Sequence, residues 1–239
     1  MLSDGLLKQG SKAYIALTVA LCALMMMAGA FFSPRTAQGA ARYSWYLAEG
    51  YTAPGFQEYI CIGNPGTTAC GVEVTFLYNR TASKKISVTV PARSRSTIHV
   101  NSAAGTGVEV SALLTSARND LAVERAQYFI YGGEYIGSHV VRAARAPVTT
   151  WYFAEGYTGP GFDQYVCVLN TNASTAGLTF RFHTPAGEVM RTGTVPANRR
   201  ATFKVNDLLG CGIESSLKLE ADRPVVAERP VYFDYLGVG

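Results

Sequence analysis

Two glutamates stand among aromatic residues in two similar stretches of the chain. The six residues are Trp45, Glu49, Tyr51, Trp151, Glu155 and Tyr157. Aromatic faces beside a carboxylate are typical of sugar-binding sites, so we predict these six as candidate ligand-binding residues. The alternative is structural: each glutamate accepts backbone N–H bonds at a strand end, and each tryptophan packs in the core. Presence of the motif in both stretches favours the structural interpretation.

Hydrolytic chemistry has weaker support in the sequence. A glycosidase needs two carboxyl groups roughly 5–10 Å apart, and Asp163 offers Glu155 such a partner, but Gln57 stands at the matching position of the first stretch. No Gly-x-Ser-x-Gly motif is present, and the three histidines share no metal-ligand spacing. We therefore predict no catalytic residue, no metal and no cofactor, with a hydrolase as the least supported class.

Four cysteines follow residue 41: Cys61, Cys70, Cys167 and Cys211. An even number of cysteines in an exported protein favours disulfides. We predict the pairs Cys61–Cys70 and Cys167–Cys211, which keep each bridge within one stretch. The alternative is that the thiols are free and buried as small hydrophobic groups.

The chain contains an internal repeat. Residues 45–52 (WYLAEGYT) return as residues 151–158 (WYFAEGYT), and residues 90–92 and 195–197 both read VPA. Later, residues 124–125 and 228–229 both read ER. The repeat distance of about 100 residues exceeds that of solenoids, so it indicates two tandem globular domains.

Each repeat has the pattern of a β protein. Apolar and polar residues alternate over 72–79 and 178–183, which predicts half-buried strands, and turn residues separate such stretches. About seven short strands per repeat suggest an immunoglobulin-like β-sandwich, with a small barrel as the alternative. The predicted fold is therefore all-β, with two tandem immunoglobulin-like β-sandwich domains behind an N-terminal signal or anchor helix.

The predicted boundaries follow from the repeat. Residues 1–41 form a signal peptide or membrane anchor, since basic residues precede an apolar run that ends in small residues. Residues 42–131 form the first sandwich, and residues 132–150 form a connector with an extra strand within 135–141. Residues 151–239 form the second sandwich.

These motifs resemble a family of tandem modules in secreted and cell-surface proteins of bacteria. Such modules open with Trp-Tyr-Phe-Ala-Glu-Gly, matched by residues 151–156, and end with a Val-x-Glu-Arg strand, matched by residues 226–229. The first repeat matches with Leu47 and Ala122 at two of these positions. The resemblance implies an exported location and a repeated architecture. The family is a domain family of unknown function, so it implies no reaction.

Composition limits the function classes further. The net charge is only +4 and residues 1–41 hold part of it, so we predict no nucleic-acid partner. We predict a secreted or cell-surface bacterial protein that is not an enzyme and serves adhesion, presentation or spacing. Its partners would be a cell-wall polymer, a glycan or another surface protein, with membrane contact only through the N-terminal segment. The alternative is a carbohydrate-binding or accessory module of a surface enzyme.

Overall fold

The computed structural model describes residues 42–133 and 135–234. Residues from Arg42 onward form one compact unit. Antiparallel sheets dominate it, which confirms the all-β prediction. The predicted signal or anchor segment, 1–41, lies outside the described residues. Within the described ranges, no helix is long and apolar enough to cross a membrane.

The first repeat contains two antiparallel sheets and a short helix. Its elements are β1 (Tyr43–Leu47), β2 (Phe56–Asn64), β3 (Cys70–Tyr78), β4 (Lys84–Val90), β5 (Ser94–His99), α1 (Val100–Ala104), β6 (Val110–Ser116), β7 (Ala122–Tyr131) and β8 (Tyr135–Arg142). One sheet has the order β1-β6-β3-β4, and the other has the order β5-β2-β7-β8. Strand β8 occupies the stretch predicted as a connector and extends the second sheet beside β7.

The second repeat has the same pairing scheme. Its elements are β9 (Val148–Phe153), β10 (Phe162–Asn170), β11 (Ala176–Thr184), β12 (Gly187–Val195), β13 (Arg199–Lys204), α2 (Val205–Leu209), β14 (Ser216–Glu228) and β15 (Val231–Phe233). The first part of β14 takes the place of β6, and the end of β14 together with β15 takes the place of β7. Its first part pairs with β9 and β11, and its last part pairs with β10 beyond an irregularity between Glu220 and Val225.

Each repeat buries its own core between its strands. In β3, the alternate residues Val72, Val74 and Phe76 are buried, as the period-two pattern predicts. Phe180 and Phe182 do the same in β11. Leu77 breaks the alternation: it is buried on the opposite face, in an apolar cluster that also contains Leu169 and Val226 of the second repeat. The two repeats are therefore packed directly against each other.

Two short helices depart from the sequence prediction in the described part of the chain. The alternation of Ile98 and Val100 predicts that β5 continues through Val100, but α1 begins there, and α2 begins at the matching Val205. The asparagine that follows each valine explains the turn. Asn101 accepts a bond from the Glu58 N–H at 3.0 Å and donates to the Phe56 carbonyl at 2.8 Å. The helix start thus closes the loop that leads into β2.

The predicted disulfides are wrong. All four cysteines in the described part of the chain are free thiols. Cys61 lies between the buried Ile60 and Ile62 of β2 and faces outward, with its Sγ 4.0 Å from Thr97 Oγ1. Cys70 packs against the core from the other sheet. In the second repeat, Cys167 is buried on the outer face of β10, whereas Cys211 is exposed beyond α2. Cys61 and Cys70 thus lie on different sides of the first repeat, and neither predicted bridge is formed.

The shared Asn64 and Asn170 hold equivalent turns together. Asn170 is fully buried, and its Nδ2 donates to the carbonyls of Ser174, Val195 and Pro196 at 2.9–3.1 Å. Asn64 makes the matching contacts with the Val-Pro turn of the first repeat. The Asn and Val-Pro-Ala motifs of the sequence are therefore two sides of one hydrogen-bonded turn.

Replacement of this asparagine should destabilise the unit. We expect Asn170→Ala to lower the free energy of unfolding by about 3 kcal/mol, because it leaves three carbonyls without their donor. Urea denaturation of residues 42–239 measures the loss. Asn79→Ala is the control, since Asn79 is exposed on a turn and should change stability by less than about 0.5 kcal/mol. Equal effects of the two substitutions would contradict this role.

Candidate functional site

The two tryptophans predicted as ligand-stacking residues lie within the fold. Trp45 is 2% exposed, its Nε1 donates to the Leu121 carbonyl at 3.2 Å, and the Arg145 guanidinium lies 4.2 Å from its ring centroid. Trp151 is half-buried and donates to the Val225 carbonyl at 2.9 Å. Both rings therefore brace strands of their own repeat.

Each motif glutamate pairs with the arginine of the late Glu-Arg motif. Glu49 forms an ion pair with Arg125, and Glu155 forms the equivalent pair with Arg229. Their surroundings differ: the Glu49 side chain is 4% exposed and the Glu155 side chain is 64% exposed. The sequence motifs thus encode one Glu–Arg contact per repeat, and only the first is buried.

Glu228 of the second repeat completes the buried pair. Its Oε2 accepts from Arg125 Nη1 at 2.8 Å, and its Oε1 accepts from the Ala48 N–H at 2.7 Å. Arg125 also donates to the backbone carbonyl of Glu49. Arg125, itself 2% exposed, is therefore held between one carboxylate from each repeat.

An aromatic contact lies beside this ion cluster. The Tyr232 ring of the second repeat stacks on Tyr131 with ring centroids 4.4 Å apart, and it meets the edges of Phe129 at 5.0 Å and Phe56 at 5.9 Å. Its hydroxyl reaches Glu49 Oε1 at 3.3 Å. We call Phe56, Phe129 and Tyr131 the aromatic cup, and Tyr232 fills it.

A second ion pair between the repeats, with a buried arginine and a half-buried glutamate, lies at the other side of a small cavity. Arg200 of the second repeat binds Glu109 of the first at 2.5 Å, and Thr202 Oγ1 donates to the same carboxylate at 3.0 Å. The cavity has a volume of about 270 Å³, and Glu49 and Tyr51 contribute to its wall. Two of the six predicted ligand-binding residues therefore meet at the contact between repeats, which we call the seam.

The two acids behind the seam have opposite pKa shifts. Burial raises the pKa of Glu49, but the charge of Arg125 and a hydrogen bond from His139 outweigh it, and the pKa is about 2. Burial also dominates at Glu58, where Arg125 compensates less and Glu49 adds repulsion, so the pKa rises to about 8. Glu58 accepts the Tyr51 N–H at 3.0 Å, which anchors its carboxyl group to the backbone.

This arrangement stabilises structure more readily than it transfers protons. A catalytic acid must reach a substrate atom. Glu49 is engaged by Arg125, and Glu58 lies beneath Gly50, where an added Cβ would sit 2.8 Å from both carboxylate oxygens. The same Cβ would sit 2.3 Å from the backbone carbonyl oxygen of Val110, which cannot move aside, so this position requires the glycine of the Ala-Glu-Gly motif. Among the described residues, no group of His, Cys, Asp and Glu is arranged to hold a metal ion.

In the second repeat, the surface that matches the first repeat's side of the seam forms an open groove. Glu155, Gly156, Tyr157, Phe162 and Glu214 contribute to its wall. They match Glu49, Gly50, Tyr51, Phe56 and Glu109, which line the seam cavity. The groove has a volume of about 680 Å³ and is open because no third repeat covers it within the described residues. The remaining predicted ligand-binding residues, Glu155 and Tyr157, therefore face an accessible surface.

Sequence reasoning missed the partners that make the seam. Arg125 and Glu228 belong to the two Glu-Arg motifs, which indicate ion pairs but not the repeat that supplies each acid. The sequence offers Glu58 as an acid next to Gln57 but gives it no support as a shared site residue, because Gln164 occupies its position in the second repeat. One signal was present in the sequence: Glu49 and Arg125 of the first repeat both have counterparts in the second, Glu155 and Arg229.

Comparisons with known proteins add little. No protein-family model matches the chain, and no curated protein matches it. Among solved structures, the chain is similar to the crystal structure of Thermotoga maritima 1070, with 15% identity, a TM-score of 0.39 and coverage of 43% of this chain and 92% of that one. It is also similar to the Anabaena sensory rhodopsin transducer, with 24% identity, a TM-score of 0.33 and coverage of 35% and 88%. Likeness at this level carries no functional argument.

The raised pKa of Glu58 predicts a pH-dependent stability. The folded protein holds this proton up to a pH of about 8, whereas the unfolded chain releases it near the ordinary pKa of 4.5. The folded state therefore binds more protons between these values, and the free energy of unfolding falls as pH rises, by at most about 1.4 kcal/mol per pH unit. Glu58→Gln should remove this slope. The measurement is urea denaturation across the pH range.

Gln164→Glu is the matched variant for this test. It places an acid at the same buried position of the second repeat, and we expect it to add a slope of the same sign. Identical pH profiles for wild type and Glu58→Gln would contradict the assignment.

The seam predicts different effects of two equivalent acids. Glu228→Ala leaves the Ala48 N–H and one side of Arg125 without a partner, so we expect a loss of about 3 kcal/mol in unfolding free energy. Glu124 occupies the same position of the first repeat but is exposed, and Glu124→Ala should cost less than about 0.5 kcal/mol. Denaturant titration compares them, and similar losses would argue against a seam held by Glu228.

Proposed function

We propose that this protein is an exported, non-enzymatic surface module that serves adhesion, presentation or spacing at the bacterial cell envelope. In this proposal it consists of two immunoglobulin-like β-sandwich domains of the Trp-Tyr-Phe-Ala-Glu-Gly repeat family, delivered by residues 1–41 as a signal or anchor. The observation that carries it is the seam. Arg125 and Arg200 each bind an acid across the two repeats, and such a contact suits a module that holds its outer faces at a fixed spacing.

The state of the buried acids supports a non-enzymatic role. Glu49 is paired with Arg125, and Glu58 is hydrogen-bonded to the backbone of Tyr51. Their opposite pKa shifts have a structural cause, since structural ion-pair networks perturb pKa values as active sites do.

A second candidate function is carbohydrate binding at the open groove of the second repeat. Tyr157 and Phe162 lie edge to face at 5.0 Å beside Glu155. Aromatic rings and a carboxylate on one accessible surface suit a glycan, as a carbohydrate-binding or accessory module of a surface enzyme would require.

Co-sedimentation with cell walls tests both functions. The sample is residues 42–239, which form a compact unit, mixed with walls of the source bacterium over a salt series. Binding that survives high salt and falls several-fold in Tyr157→Ala supports glycan recognition at the groove. The matched control is Tyr51→Ala, because Tyr51 lines the seam cavity instead. Binding that is lost at modest salt indicates charge contacts by exposed basic residues.

Absence of wall binding at every salt concentration would reject the glycan function and leave spacing or presentation. Surface exposure is tested separately, by protease digestion of intact cells that express the full chain. Protection of residues 42–239 until the cells are lysed would contradict an exported role.

A further inference from the structure

The seam joins two different surfaces, one from each repeat. Each repeat also has its own version of the surface that the other repeat contributes. The first repeat contributes the end of its sandwich, with Glu49, Arg125 and the aromatic cup. The second repeat contributes the outer face of β10, β13, β15 and the end of β14, with Glu228, Arg200 and Tyr232. A contact between unlike surfaces is heterologous, so within residues 42–133 and 135–234 one copy of each surface stays uncovered.

The uncovered end of the second repeat keeps the residues of the covered one. Glu155 pairs with Arg229 as Glu49 pairs with Arg125. Phe162 stacks on Phe233 with centroids 5.4 Å apart, close to the 5.7 Å between Phe56 and Phe129 in the aromatic cup. Phe233 is 43% exposed. The backbones of Glu214 and Tyr157 form an isolated antiparallel β-bridge, as those of Glu109 and Tyr51 do. We call this surface the open end.

The first repeat likewise keeps the sheet face that docks in the second. Glu124 pairs in register with Cys61, as Glu228 pairs with Cys167. Likewise Arg95 lies opposite Gly63, as Arg200 lies opposite Leu169. We call the outer surface of β2, β5 and β7 the open face.

The open face also has the aromatic geometry of the docked one. Tyr59 and Tyr128 meet edge to face at 6.1 Å, and Tyr165 and Tyr232 do so at 6.0 Å. Tyr128 is 53% exposed, although its counterpart Tyr232 is buried in the seam. An exposed aromatic residue already in the docked orientation loses little conformational freedom on binding.

We propose that the open end of one chain binds the open face of a second copy of the same chain, head to tail, with the geometry of the seam. The second chain's Glu124 meets Arg229, its Arg95 meets Glu214, and its Tyr128 enters the ring pair of Phe162 and Phe233. Both free surfaces are thereby used, and the contact extends the row of repeats beyond one chain.

The proposed contact is weaker than the seam. The apolar seam residues Leu77, Leu169 and Val226 correspond to His183, Gly63 and Ala122 on the free surfaces. Association therefore relies on charge pairs and aromatic contacts, and we expect a dissociation constant in the high-micromolar to millimolar range that rises with salt. Such an affinity becomes effective where many copies are concentrated on one surface.

Sedimentation velocity of residues 42–239 tests the proposal with two charge reversals. Arg95→Glu and Glu214→Arg change exposed side chains and place like charges across the proposed contact. Wild-type protein should show a sedimentation coefficient that rises with concentration, and each variant alone should associate about tenfold more weakly or worse. An equimolar mixture of the two variants should associate far more strongly than either variant alone, because every contact between unlike chains is then of opposite charge. At the same total concentration we expect about half of the wild-type association, since only half of the chains are productive partners.

Each result decides the proposal. A wild-type protein that stays monomeric up to millimolar concentration overturns it. Association that neither variant weakens, or that the mixture does not raise above that of either variant alone, assigns self-association to another surface and also overturns it. Unchanged melting temperatures of the variants exclude misfolding as the cause of a loss. The measurement uses purified protein without cell walls, so its outcome is independent of the wall-binding test.

Discussion

The packing of the two repeats depends on the buried guanidinium of Arg125. Removal of this charge from water costs several kcal/mol unless opposite charges and hydrogen-bond acceptors replace the solvent. Glu49 supplies one carboxylate from the same repeat, and Glu228 supplies the other from the second repeat. Separation of the repeats would therefore take the Glu228 carboxylate away from Arg125 and expose the ring of Tyr232 to water. A connection built in this way favours a single unit over two domains that move independently.

The same module occurs once with its end covered and once with its end open. Comparison of the two distinguishes residues that stabilise each repeat from residues that serve the contact between repeats. The Glu–Arg pair forms in both repeats, at the buried Glu49 and at the exposed Glu155, so the module itself requires it. The acid at Glu58 occurs only beneath the covered end, and Gln164 takes its place beneath the open one. Since the pKa of Glu58 is raised to about 8, its side chain is mostly neutral at neutral pH, as Gln164 is at every pH. The two repeats therefore differ in charge at this position only above a pH of about 8.

The sequence allowed the strands to be predicted but not the seam. Alternation in β3 identifies Val72, Val74 and Phe76 as core, because one sheet face is always buried within the module. Leu77 lies on the other face, and only a neighbouring repeat buries it. The failure of the Cys61–Cys70 pairing has a similar cause, since spacing along the chain does not say on which side of a sheet each thiol lies. Alternation along a strand predicts which residues are buried within one repeat. It does not predict which residues two repeats bury against each other, because that depends on how the repeats are arranged in space.

The polarity of the seam has a consequence for how such chains behave together. If the repeats were related by a two-fold axis, each would use the same surface and the contact would close on itself. Here an end meets a face, and both the unused end, with Glu155 and Arg229, and the unused face, with Tyr128, remain accessible. The apolar residues of the seam are absent from these two surfaces, so the affinity of these surfaces for each other is lower, although their charged residues are the same. In the proposed contact between chains, the charge pairs therefore set the direction of association, and the absence of apolar residues keeps its affinity low.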